Sequence, residues 1–246
     1  MIYDGERIDE IGFGNLRLIQ KPEDFCYGID AVLLATFAEV RKGGRVIDLG
    51  TGTGVIPLIL SHRTEAAAIV GVEIQKDAYE RGLRNIILND LGERVRMIHG
   101  DVKQLVKEGM VVRHSFDAVV TNPPYVKVGG GLKNKESARA VARHETTAEL
   151  DDFIGEASLL LKDRGNFYMV HRPSRLVDIS VLCRRHKLEP KELRLVSPNK
   201  DTVPNILLIH CVKHGRPELK FLDSLYVYNE DGSYTEEILR LYERGL

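Results

Sequence analysis

Four side chains in this 246-residue chain have the types and spacing to do chemistry: Asp48, Glu73, Asp101 and Asn122. They close the short apolar runs "RVIDLG", "AIVGVEI", "RVRMIHGD" and "DAVVTN". If those runs are parallel strands, all four groups stand at carboxyl ends, where open α/β sheets bind ligands. Asp48 lies two residues before Gly50, Gly52 and Gly54 in "VIDLGTGTGVI". Glycines in a strand-to-helix turn let the backbone approach a ligand closely. The dinucleotide pattern G-x-G-x-x-G fails in both registers, because Val55 or Pro57 holds the third glycine's place, and no Walker lysine follows. A carboxylate at the mouth of the turn repels phosphate and suits a cationic group, such as the amino group of a methionine moiety. Glu73 is placed to accept from ribose hydroxyls. Asp101 can accept from an adenine amino group or cap a helix.

Asn122 opens Asn-Pro-Pro-Tyr. Two successive prolines remove two backbone donors and fix two φ angles, so strand pairing must stop there. In a planar amine conjugated to a ring or carbonyl, the nitrogen lone pair is delocalised. Two acceptors aimed at its hydrogens draw it toward tetrahedral geometry and localise that pair. Asn122 Oδ1 and the Pro123 carbonyl are suitable acceptors, Pro124 helps to fix where that carbonyl points, and the Tyr125 ring can stack on a flat substrate. No cysteine nucleophile is assigned.

The elements that must position these groups follow from periodicity. "RIDEIGFGNLRLIQ" alternates around Gly12 and Gly14 and predicts a hairpin. "DAVLLATFAEV" predicts a helix capped by Asp30, with Val32, Leu33, Phe37 and Val40 on its apolar face, ending near Gly43 and Gly44. Strands and helices then alternate, with "VKQLVKEG" among the helices, which predicts a parallel sheet. A helix over 149–161, the strand "NFYMVH", a helix over 175–187 and two late strands pairing antiparallel complete the pattern. The tail adds a strand, an Asp-Gly turn and a helix with a Ser233/Glu236 capping-box pattern.

This constellation resembles the class I S-adenosylmethionine (SAM) methyltransferases over roughly residues 30–214. The resemblance implies a Rossmann-like α/β fold: a seven-stranded, mostly parallel sheet with its last strand antiparallel, helices on both faces, and here an N-terminal hairpin. It implies that Asp48, Gly50, Gly52 and Gly54 hold the methionine end of SAM, Glu73 the ribose, and Asp101 with Val102 the adenine. Ile74 and Asn122 count among the cofactor contacts. Tyr27, Gly28 and Asp30 in "FCYGIDAVLLATF" look like the family's upstream segment that closes over SAM.

Asn-Pro-Pro-Tyr after a parallel strand is the signature of amino-nitrogen methyltransferases acting on adenine, guanine or glutamine. Asn122, Pro123, Pro124 and Tyr125 are therefore the candidate catalytic set. The following "VKVGGGLKNKESARAVARHE" carries Lys127, Lys133, Lys135, Arg139 and Arg143, and is expected to form a basic flap that binds RNA phosphates. Arg172, after the fifth strand, joins this set, with His171 and Arg175 nearby. "CYGIDAVLLATFA", "YMVHRPSRL" and "LYVYNEDGSYTEEI" look like the bacterial tRNA1(Val) adenine-N6 methyltransferases, which modify an adenine beside the anticodon. Rival readings are a release-factor glutamine-N5 enzyme, a ribosomal-RNA guanine-N2 enzyme and a silent SAM- or RNA-binding module. The first usually carries a helical N-terminal domain and the second often has Phe after the prolines; neither is seen.

Bulk properties agree. A formal net charge of −1 excludes a generally basic binder. Three scattered cysteines indicate neither a disulfide framework nor a metal site. A charged N-terminus and the lack of an apolar run of roughly 18 residues predict a cytoplasmic protein without a membrane span. One domain is expected over 1–246, comprising a hairpin region (1–29), a catalytic core (30–214) and a strand-turn-helix extension (215–246), with a monomer favoured.

Overall fold

The structure is a computed structural model and describes residues 2–24, 26–125 and 149–243. Arg7–Glu10 (β1) and Arg17–Gln20 (β2) form the expected antiparallel hairpin. Ile29–Phe37 (α1) leads into the alternating region. There Arg45–Leu49 (β3), Val55–Arg63 (α2), Ala68–Glu73 (β4), Lys76–Leu88 (α3), Val95–His99 (β5) and Phe116–Thr121 (β6) follow in turn. Beyond residue 148 come Leu150–Leu160 (α4), Leu161–His171 (β7), Leu176–Arg185 (α5), Leu188–Ser197 (β8) and Ile206–Lys213 (β9).

Seven strands lie in the order β8-β9-β7-β6-β3-β4-β5, and β9 alone runs antiparallel to its neighbours. Lys220–Phe221 (β10) and Leu225–Tyr226 (β11) extend the sheet by pairing parallel with the outer strand β8. Alternate strand residues serve opposite faces, as the period of two requires. Val46, Ile69, Ala118 and Val120 pack toward α1, α2 and the hairpin, whereas Ile47, Val70, Val72 and Val119 pack toward α4 and α5. Both faces are thus covered, which is why these strands read as continuous apolar runs.

Three local expectations are corrected. α1 is capped by Gly28 rather than Asp30 and ends at Phe37, because Ala38 turns extended and carries Val40 off the helix. "VKQLVKEG" supplies only a single 3-10 turn, Val102–Gln104, whose N-cap is Asp101. The final helix, Glu236–Leu241 (α6), is capped by Thr235, whose hydroxyl accepts from Ile238 N; Ser233 hydrogen-bonds Asp231 instead.

Two asparagines one helical turn apart fasten the hairpin to α3. Asn85 Oδ1 accepts from Ile19 N at 2.7 Å, while Asn89 exchanges two hydrogen bonds with the backbone of Arg17 at 2.8 and 2.7 Å. Residues 17 and 19 present their polar groups on the same edge of β2, and an i, i+4 pair on a helix matches that repeat. Asn85 is fully buried, and its Nδ2 also donates to the Thr53 carbonyl at 2.9 Å, inside the glycine turn. Asn85→Ala should therefore lower stability in urea unfolding by about 2–3 kcal/mol, because it orphans buried backbone groups. The more exposed Asn89→Ala should cost about 1 kcal/mol. Equal losses at both positions would contradict this ranking.

Candidate active site

The carboxyl ends of β3, β4, β5, β6 and β7 converge on one rim of the sheet. At the first, Gly50, Gly52 and Gly54 all have positive φ, and Gly54 caps α2 in the left-handed region. A Cβ on Gly50 would come within 3.3 Å of the Phe153 ring, so the turn is packed from below by α4. Gly52 differs, since a Cβ there would meet no atom within 4 Å. The turn is thus closed toward the core and open toward the rim.

Asp48 is wholly buried at this turn, and neither carboxylate oxygen has a hydrogen-bond partner among the described residues. Thr51 Oγ1, also buried, shares that condition. Burial pushes the Asp48 pKa up to about 7; the nearby Thr51 hydroxyl pulls the other way, and the negative charge of Glu73 adds to the rise. An orphaned carboxylate of this kind is costly unless a cation or donor arrives to pair with it. The donor set therefore fits a ligand with a cationic group lying over the open glycine.

Glu73 is nearly buried and ties the second strand end to the first. Its oxygens accept from Gly52 N and Gln75 N, each at 2.8 Å. A carboxylate offers about four acceptor positions, so two remain for hydroxyl groups. Ile74 is 38% exposed beside it and Val102 is buried. Asp101 Oδ1 accepts from Lys103 N at 2.9 Å, so the N-cap reading of this residue is realised, and its second oxygen lies 4.0 Å from Lys103 Nζ. Tyr27 N donates to Gln20 Oε1 at 3.2 Å, and Gly28 has open space where a Cβ would stand.

The β3–β6 register pairs Leu49 with Thr121, whose hydroxyl donates to the Leu49 carbonyl at 2.8 Å. Asn122 therefore emerges beside Gly50. Pro123 is buried, Pro124 exposed and Tyr125 half-buried. Tyr125 Oη lies 2.7 Å from Asp30 Oδ2 and 2.9 Å from Asn122 Oδ1. The Arg172 guanidinium covers the Tyr125 ring at 4.7 Å, and His171 meets it edge-on at 4.9 Å. Burial, with the Asp30 charge added, raises the Tyr125 pKa far above its ordinary value, so the phenol keeps its proton.

The family profile described as "methyltransferase small domain" matches residues 16–178. A tRNA1(Val) (adenine(37)-N6)-methyltransferase of Porphyromonas gingivalis is 30% identical over 226 residues, spanning 88% of this chain and 86% of that protein. The chain belongs to this methyltransferase family. A relative of the same description from Parabacteroides distasonis is 31% identical over 185 residues, 74% of each chain. Among solved structures, a predicted O-methyltransferase from Agrobacterium tumefaciens superposes with a TM-score of 0.71 at 22% identity, covering 87% of this chain and 95% of that one. TYW2 of M. jannaschii in complex with AdoMet gives 0.57 at 15% identity, covering 86% and 87%. At these identities the two structures speak for the fold alone.

In this methyltransferase the rim unites Asp48, Glu73, Asp101, Asn122 and Tyr125, as the strand pattern implies. It also brings Asp30, which the resemblance assigns to the cofactor, onto the Tyr125 hydroxyl. Two further side chains that sequence reasoning did not place there support the glycine turn: Phe153 packs under Gly50 and Asn85 donates to the Thr53 carbonyl. His171 is buried, and burial together with Arg175 pushes its pKa down to about 4, so it is a neutral side chain packed on Tyr125 rather than a surface contact. Its Nδ1 accepts from Arg172 N at 2.8 Å, which leaves the ring proton on Nε2. Arg172 also donates to the Asn205 carbonyl at 3.0 Å. Lys127, Lys133, Lys135, Arg139 and Arg143 lie outside the described residues. Among those described, no cluster of three or more His, Cys, Asp or Glu side chains can hold a metal, and no helix is long and apolar enough to cross a membrane.

Proposed function

We propose that this chain is the enzyme that methylates the exocyclic N6 of an adenine in tRNA, next to the anticodon of tRNA(Val), using S-adenosylmethionine. The observation that carries the reading is the buried, unpartnered Asp48 carboxylate at the end of β3, with Asn122 beside it on β6. Family membership directs the chemistry to an adenine in tRNA rather than to glutamine or guanine, and the complete set of acids with Asn122 speaks against a silent module.

SAM supplies an electrophilic methyl group on a cationic sulfonium. Asp48 and the open turn at Gly52 would hold its methionine end, Glu73 with Ile74 its ribose side, and Asp101 with Val102 its adenine, Tyr27 and Gly28 bordering the site. Asn122 Oδ1 and the Pro123 carbonyl accept the two hydrogens of the target amine and localise its lone pair. Neither acceptor is a base, so the proton released from nitrogen passes to water. Tyr125 stacks on the flat base, and Arg172 on its far face holds that ring in place. A base must leave its stack to reach such a rim, and an anticodon loop offers bases already unstacked.

The assignment further places the protein in the cytoplasm, where tRNA is its macromolecular partner, with residues 1–246 forming one catalytic domain. Its test is nucleoside mass mapping of tRNA from cells lacking the enzyme, followed by restoration in vitro with purified protein and labelled SAM. Loss and recovery of N6-methyladenosine at one adenine of tRNA(Val) is expected. Label entering a protein or guanine, or none at all, would overturn the reading.

The basic run after Tyr125 carries the tRNA-binding part of the proposal. Neutralising Lys133, Lys135 and Arg139 together should weaken tRNA binding roughly tenfold or more at moderate salt. It should also flatten the salt dependence by about two to three counterions, leaving SAM affinity unchanged. An unaltered salt slope in a filter-binding titration would remove these cations from the interface.

A further inference from the structure

Tyr125 has one hydroxyl proton and two acceptors within reach, Asp30 Oδ2 at 2.7 Å and Asn122 Oδ1 at 2.9 Å. The two contacts conflict with the task assigned to Asn122, whose Oδ1 must face the incoming amine. A phenol donating to that oxygen would draw its electron density toward the tyrosine and away from the substrate. Asp30 offers the same proton a better destination, because a carboxylate accepts more strongly than a neutral amide and the contact is the shorter of the two. The contact spans 95 positions of chain and joins the first turn of α1 to the end of β6.

We infer that Asp30 is a positioning residue for methyl transfer: it accepts the hydrogen bond of the Tyr125 hydroxyl and thereby leaves Asn122 Oδ1 open to the target amine. This rests on the reading that Asn122 polarises that amine, and it reassigns Asp30 from cofactor closure to control of the acceptor. With Asp30 present, the substrate N–H and the phenol do not compete. Without it, the phenol turns to Asn122 and the resting contact becomes an obstacle. Arg172 and His171, packed on the tyrosine ring, hold its hydroxyl within reach of both acceptors in either case.

The consequence is a particular form of non-additivity. Asp30→Ala should slow single-turnover methyl transfer, at saturating SAM and tRNA, by roughly tenfold to a hundredfold, the range for a hydrogen bond to a charged group. Removing the competing hydroxyl in the same chain should reverse most of that loss. The Asp30→Ala/Tyr125→Phe double variant should therefore run at least about tenfold faster than Asp30→Ala and match Tyr125→Phe alone. A residue that merely supports folding or holds the tyrosine in place would show no such rescue. Calorimetric SAM affinity should be the same in all four proteins.

A double variant as slow as Asp30→Ala, or Asp30→Ala at the wild-type rate, would overturn the inference. So would a loss confined to SAM affinity, which would return Asp30 to the cofactor. Should Asp30→Ala fail to fold, Asp30→Asn, a neutral and weaker acceptor at the same place, replaces it in the same cycle with a smaller loss and the same rescue expected. Asn122→Ala run in parallel separates the levels: if it transfers methyl normally, the site assignment itself falls, whereas loss in Asn122→Ala without rescue in the double variant removes only the role of Asp30.

Discussion

Asn122→Ala is expected to lose at least about two orders of magnitude in single-turnover methyl transfer, with SAM and tRNA both saturating, while SAM affinity barely moves. The size follows from removing one positioned polar group from a transition-state site. The selectivity follows from placement: Asn122 emerges on β6, whereas the unpartnered acid and the open glycine belong to β3. Saturation matters because it leaves only the chemical step and its positioning to be measured. Asn122→Asp makes a sharper comparison, since it keeps an acceptor at the same reach but brings an anion beside Asp30. Near-normal transfer by Asn122→Ala under these conditions would leave Asn-Pro-Pro-Tyr as a strand terminator and nothing more.

How far the site could be read in advance depended on the range of the interactions involved. Asp48, Glu73 and Asp101 were legible because each ends an apolar run, and alternation of strand with helix sends every such end to one rim. Asn122 was legible because paired prolines force the chain out of the sheet at that point. Asp30 and Tyr125 carry no joint local signal, and only the closure of the sheet brings them together. Asn85 was hidden for another reason: an asparagine among the polar residues of an amphipathic helix reads as solvated surface, whereas here β2 covers it. His171 misled in the same way, since a histidine before two arginines suggests a nucleic-acid surface, yet it is the last buried residue of β7. Short-range capping went astray where several good caps competed, as with Ser233 and Thr235; the backbone conformation at the helix start selects between them.

Asp48→Asn should weaken SAM binding by roughly tenfold to a hundredfold and at the same time stabilise the ligand-free protein above pH 7, two effects of opposite sign from one burial. The folded carboxyl titrates at about 7, above its ordinary value of 3.8. The native state therefore holds a proton that the unfolded chain has released, and stability falls as pH rises through the window from about 4 to 7. Above that window the penalty is complete, on the order of 4 kcal/mol for about three pH units. Asparagine never ionises, so the variant should keep at pH 8 much of what the wild type loses, melting up to roughly 8–16 °C higher without ligand at about 2–4 °C per kcal/mol. Binding runs the other way, because a cationic ligand needs the anion. Wild-type SAM affinity should climb as pH rises from 6 to 7.5 and then level off, whereas the variant should show a low, nearly flat profile over the same range. Calorimetry and thermal melts at pH 6, 7 and 8 on the two proteins decide the matter. Parallel affinity profiles, or a variant that melts lower at pH 8, would mean that this carboxylate neither waits for a cation nor strains the empty fold.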